Sequence, residues 1–354
     1  MYNKTDLKNK LESIHRKSYP AYKSLRGSYT FGDFVLSIDH VQGDPFAAPS
    51  SLHVELPLAK AGFPEKYFEG RHTKTALEDL ILRKFSRALD QYSFKAKGSG
   101  KSGLISTSRP GPEVMRRTAV EFTEKLLIVR FEVGFPANGR TINAQELEKI
   151  LLDFLPQIVK KCLYYQAWDK RLVQEGFELA ENQQKIREVL EERKLVAFCA
   201  NGSILPRKSG VSSQPLKDAV AFESPKSMEL AIDLPFGGSI FGMGIPEGVT
   251  LIIGGGYHGK STLLQALEQG VYNHVKGDGR EYVITRVNAL KLRAEDGRAV
   301  SNLDLSLFIH DLPNGKDTHC FSTEDASGST SQATGVVEGI EAGTKLFLID
   351  EDTS

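Results

Sequence analysis

Cysteine is scarce in this chain. Its 354 residues contain three, Cys162, Cys199 and Cys320, in no short paired spacing, which argues against a disulfide scaffold or a thiolate zinc site and for a reducing, cytoplasmic setting. The eight histidines form no H-x-x-x-H or Cys/His spacing, so zinc chemistry finds no ligand pattern either. No run approaches the roughly 18 apolar residues of a membrane helix, so no membrane domain is expected. The residues after Met1 lead into a charged amphipathic stretch instead of the apolar core of a signal peptide. Net charge is lacking as well: 45 Lys+Arg balance 45 Asp+Glu, so total charge selects no partner. What is present, 40% hydrophobic and 25% charged residues with 32 Gly and 15 Pro, is ordinary globular composition and excludes collagen-like, coiled-coil and wholly disordered chains. At roughly 100–200 residues per domain, the length suggests two domains.

The charge balance conceals an asymmetry. From Ser301 onward ten acids face two lysines. A basic cluster, Lys95, Lys97, Lys101, Arg109, Arg116 and Arg117, is opposed only by Glu113 and interleaved with Gly and Ser. It reads as an exposed, mobile loop, either simply solvated or in contact with RNA or DNA phosphates.

Periodicity predicts helices over 7–22 and 75–89 and strands over 31–40, 52–56 and 125–133. Together these predict a mixed α+β N-terminal domain over 1–165. Two Glu-, Lys- and Leu-rich helices, 144–164 and 169–193, read as a helical connector. A strand over 195–199 and a set of turns over Pro235–Gly248 follow. The second domain is expected over 166–354, giving an α/β chain overall.

Gly254-Gly255-Gly256-Tyr257-His258-Gly259-Lys260-Ser261 satisfies G-x-x-x-x-G-K-[ST], the phosphate-binding loop. Glycines are needed because backbone N–H groups must turn inward around the phosphates. Lys260 would reach the β- and γ-phosphates, the Ser261 hydroxyl would hold Mg²⁺, and Thr262 continues the loop into a helix. Val249–Ile253 predicts a buried strand before the loop and Ser261–Leu267 a helix after it. That order puts the positive helix end at the phosphates of a nucleotide. Gly98-Ser99-Gly100-Lys101-Ser102 imitates the end of such a loop but has Lys95 where the first glycine belongs.

Near the far end, an apolar strand over Lys345–Ile349 precedes Asp350 and Glu351. Asp350 is read as the metal-side acid and Glu351 as the general base that polarises the attacking water. Ser327, Gly328 and Ser329, ahead of a helical stretch over 332–342, suit a second anion contact at a helix N-terminus or an ordinary Ser/Thr cap. Phe236 and Phe241 read as core residues in preference to adenine-stacking ones.

Asp350-Glu351-Asp352-Thr353-Ser354 resembles the D-E-P-T-S that follows the Walker B strand of ABC ATPases. Ser327-Gly328 falls where those proteins carry their L-S-G-G-Q signature. Gly242–Leu251, Arg293–Arg298, Ala326–Thr330 and, in the N-terminal half, Ser37–Phe46 and Lys97–Gly103 together look like the family called predicted ATPases of the ABC class. The resemblance implies a P-loop NTPase domain that hydrolyses ATP to ADP and phosphate with Mg²⁺. It also implies a head-to-tail homodimer in which Ser327, Gly328 and Ser329 of one copy cover the γ-phosphate held by the other. The signature departs from S-G-G-Q, and no clear Q-loop glutamine follows the second strand; Glu295 is its positional counterpart. The sequence stops straight after the acids, ahead of the switch histidine such proteins carry, so a C-terminally truncated chain is expected. Two alternatives stand beside the hydrolase: a nucleic-acid-associated ATP switch using the Lys95–Arg117 loop, and a P-loop phosphotransferase, which gives Ser327-Gly328 no role.

Overall fold

Alternation of apolar residues sets the centre of the first unit. Leu52, Val54 and Leu56 of strand Ser50–Pro57 lie opposite Phe131, Val129 and Leu127 of strand Leu126–Val133, all buried. A period of two thus puts one continuous apolar face on the sheet. The computed structural model describes residues 2–310, 315 and 317–350 and divides into two units, 1–181 and 182–354. In the first, the sheet continues antiparallel from Ser50–Pro57 through Phe34–His40 to Gly27–Phe31, with Tyr2–Asn3 added in parallel. Ile105–Ser106 and Val120–Phe122 pair with Leu126–Val133. Helix Arg71–Asp90 buries Leu77, Ile81, Phe85 and Leu89 at helical spacing. The first helix spans Lys4–Ile14, beginning three residues before and ending eight residues short of the expected 7–22, and is closed at its start by an Asn3/Asp6 capping box. Pro20 takes the chain into a 3₁₀ turn over Tyr19–Leu25 instead.

The basic segment is pinned, not mobile. Ser99 N donates to Ala137 O at 2.7 Å, Lys101 N to Pro45 O at 2.8 Å and Gly103 N to Gly134 O at 2.9 Å. Ala137 N donates to Ser102 Oγ at 3.0 Å. These amides are spent on protein oxygens, so the Gly98–Ser102 turn is a structural clasp and no phosphate cradle. The arginines that follow are paired too. Arg117 lies 2.6 Å from the buried Asp79, which also takes Arg83 at 2.5 Å. Arg109 lies 2.7 Å from Asp90 and Arg116 3.4 Å from Glu121.

Helix Lys170–Glu192 supplies side chains to each unit's own core. Its Val173 belongs to the core of the first and its Ile186, Val189 and Leu190 to a core of the second. The second unit contains an antiparallel sheet in the order Glu229–Asp233, Ser239–Pro246, Leu195–Ala200, Val283–Thr285. Residues 235–248 are therefore not only turns. Gly242 and Gly244 sit mid-strand because a Cβ there would overlap Cys199 O and the Leu230 side chain, so these glycines mark close strand packing. Beyond this sheet, Ala289–Leu292 pairs in parallel with Leu346–Ile349. A hairpin of Arg298–Leu303 and Phe321–Ala326 leads into helix Gly328–Glu341.

Candidate functional site

The phosphate-loop sequence bends through two left-handed residues, Tyr257 at φ +62° and Gly259 at φ +83°. Gly259 caps helix Lys260–Gln269. The bend folds Lys260 back over the start of its own loop, so that Nζ donates to Gly254 O at 2.8 Å and Gly255 O at 3.2 Å. A Cβ at Gly255 would stand 2.7 Å from His258 Nδ1, a contact the exposed ring could relieve by swinging aside. Gly254, Gly255, Gly256, Tyr257, His258, Gly259 and Ser261 are all exposed, and Thr262 is half-buried where the helix begins. An ammonium and a helix N-terminus thus share one open loop, an arrangement that attracts phosphate.

The other end of that helix is held by Arg187, which no motif singles out. Arg187 donates to Val271 O at 3.1 Å, Thr285 O at 2.8 Å and Asn273 Oδ1 at 2.8 Å. Burial lowers its pKa to about 10, so it stays cationic at neutral pH beside the negative end of the loop helix.

The expected strand over Val249–Ile253 does not form. The segment makes no ladder pairing among the described residues, and Val249, Leu251 and Ile253 are exposed. Ile252 alone turns inward, against the buried cluster that includes Ala266 and Leu267 of the loop helix. A β-branched run becomes a strand only where a neighbour completes its ladder, and here only one face has a partner.

Leu348 packs against the same apolar cluster as Ile252 and Leu263, and on the neighbouring strand Lys291 donates to Glu268 of the loop helix at 2.9 Å. Asp350 N donates to Leu292 O at 2.9 Å, and its carboxylate stands 3.8 Å from Lys291 Nζ. Glu351 lies outside the described residues. The Ser261 hydroxyl and the Asp350 carboxylate are hard oxygen donors of the kind Mg²⁺ takes, and Asp350 already has one cation beside it. Among the described residues no group of three or more His, Cys, Asp or Glu side chains is placed to hold a metal by itself, so Ser261 and Asp350 could supply only part of a coordination shell.

Ser327 caps helix Gly328–Glu341 by position without a side-chain cap bond; its Oγ lies 3.0 Å from Thr330 Oγ1. The helix begins four residues earlier than the expected 332. Ser327 and Ser329 are exposed, Gly328 is buried, and among the described residues no hydrogen bond joins these three to the phosphate loop. Glu295 is tied to this helix through its backbone, donating to Ser331 Oγ at 2.8 Å. Phe241 is exposed, contrary to the core reading; it lies on the same strand face as the buried Met243 and Ile245, but nearer the start of Ser239–Pro246, where that face is uncovered.

Comparison with known proteins identifies two domain families along the chain. A family model described as the P-loop domain of ABC ATPases matches residues 169–354, and one described as the N-terminal domain of ATPases of the ABC class matches residues 4–166. A protein of Methanocaldococcus jannaschii described as uncharacterized is 37% identical over 182 residues, covering 49% of this chain and 40% of that relative. This chain thus matches less than half of the relative's length. No helix among the described residues is long and apolar enough to cross a membrane.

Proposed function

The chain belongs to the ABC class of P-loop ATPases, whose members bind and hydrolyse ATP, and from that premise we propose how its residues divide the work. The backbone amides of Gly254–Gly259 and the Lys260 ammonium hold the β- and γ-phosphates. Ser261 and Asp350 hold Mg²⁺, which when bound offsets phosphate charge. Glu351 accepts a proton from water as the water oxygen attacks the γ-phosphorus in line and the bond to the ADP oxygen breaks, leaving ADP and phosphate. The observation that carries this reading is the position of Lys260, folded on the carbonyls of Gly254 and Gly255 at the N-terminus of its helix.

With one such loop per chain, two copies pairing head to tail would complete two sites. The exposed Ser327 and Ser329 at the start of Gly328–Glu341 suit the signature side of each. An RNA or DNA client gripped by the Lys95–Arg117 loop is the weaker reading, because Arg109, Arg116 and Arg117 already sit on carboxylates. A phosphotransferase would place phosphate on an acceptor in preference to releasing it.

Lys260→Ala tests the cradle. A charge-assisted bond is worth about 1.5–3 kcal/mol, so the variant is expected to bind a fluorescent ATP analogue roughly 10- to 100-fold more weakly, with an unchanged melting temperature because Lys260 is solvent-accessible. Equal affinity would remove Lys260 from the site.

A further inference from the structure

A charged group beside Asp350, Lys291, has no part in the roles proposed for the loop and its acids. Lys291 lies on strand Ala289–Leu292, in register with Leu348 on the strand that leads to Asp350. Its ammonium donates to Glu268 Oε2 at 2.9 Å and stands 3.8 Å from Asp350 Oδ2. Glu268 belongs to the loop helix, about two turns beyond Ser261. A cavity of about 650 Å³ opens over Glu268 and Lys291. Lys291, Glu268 and Asp350 keep 29%, 32% and 27% of their side-chain surface, so small ions reach them. One ammonium therefore stands between two carboxylates, bonded to the first and in charge contact with the second.

A divalent cation at Asp350 and an ammonium within 4 Å of the same carboxylate repel one another. Glu268 supplies a second anchor onto which the ammonium can withdraw. We infer that Lys291 is the resident counter-cation of Asp350: it neutralises this carboxylate before the metal arrives, retreats fully onto Glu268 when the metal enters, and so sets the concentration at which the metal site fills. Lys291 is a positioning residue and touches neither phosphate nor water. The inference rests on the reading of Asp350 as the metal-side acid. A lysine that merely tethers a strand to a helix would have no bearing on metal affinity.

The test is a Mn²⁺ titration of the full chain, read by electron paramagnetic resonance with a saturating non-hydrolysable ATP analogue. Thermal melts establish that each variant is folded. Lys291→Met should tighten Mn²⁺ binding roughly two- to fivefold, the scale of a partly exposed ion pair. Glu268→Gln removes the withdrawal anchor and should loosen it by a similar factor. In the double variant Lys291→Met/Asp350→Asn the gain should vanish. If Asp350→Asn weakens Mn²⁺ binding but Lys291→Met leaves it unchanged or weaker, the counter-cation role is wrong and the metal assignment survives. If Asp350→Asn has no effect, the metal assignment itself fails and the inference falls with it.

Discussion

Glu351→Gln is expected to bind ATP as tightly as the parent chain yet release phosphate about 10²–10⁴-fold more slowly, the usual loss on removing a general base. The amide keeps the size and polarity of the carboxylate but cannot take a proton from water. Substrate binding, which depends on Lys260 and the loop amides, should therefore be spared. If nucleotide draws two copies together and hydrolysis releases them, the same variant should accumulate as an ATP-dependent dimer in sedimentation velocity. Phosphate release at the parental rate would remove Glu351 from the chemistry. A variant that stays monomeric with ATP bound would count against head-to-tail pairing while leaving the chemistry intact.

Gly134→Val should cost the fold of the first unit about 3 kcal/mol or more, at or above the upper end of overpacking effects. A Cβ at Gly134 would overlap Lys101 O and stand 2.8 Å from the Lys101 carbonyl carbon. Both are backbone atoms of the Lys97–Gly103 clasp and cannot swing aside as a side chain would. The same clasp is tied down at Pro45 O and Ala137 O, so relief at one point strains the others. A loss of about 3 kcal/mol lowers the melting temperature of a domain this size by roughly 6–12 °C. Gly103→Ala should behave alike, since Gly103 adopts φ +78° and its Cβ would overlap Ala96 O. Gly139→Ala is the informative contrast: it has a similar positive φ, +61°, but open space around it, so it should lose only the backbone term of about 1 kcal/mol. A Gly134→Val variant that melts with the parent would mean that the clasp yields.

These expectations also mark where the sequence was legible. Leu52, Val54 and Leu56 declare a strand because their alternation needs only one buried face, and the pairing with Leu126–Val133 follows. The phosphate loop was legible because its chemistry is local: glycines, Lys260 and Ser261 act within one turn of chain. Val249–Ile253 misled because strand formation depends on neighbours that five residues cannot specify. The 97–103 segment misled in the opposite direction. Its Gly and Ser content looks like a mobile loop, but Gly100, Gly103 and Gly134 are glycines because backbone passes close by: Pro45 and Lys101, more than 30 positions away, for Gly100 and Gly134, and Ala96 for Gly103. Arg187 and Lys291 were missed for the same reason, since their acceptors at Val271, Thr285, Glu268 and Asp350 are brought in by the fold. A lysine between Leu290 and Leu292 was the one visible hint for Lys291.

The most direct measurement is a crystal structure of the full chain with Mg²⁺ and a non-hydrolysable ATP analogue. It should place the β- and γ-phosphate oxygens about 3 Å from the amides of the 254–261 loop and from Lys260 Nζ, with the metal between Ser261 and Asp350. A triphosphate bound elsewhere, or Asp350 turned away from a metal seated at Ser261, would contradict the account.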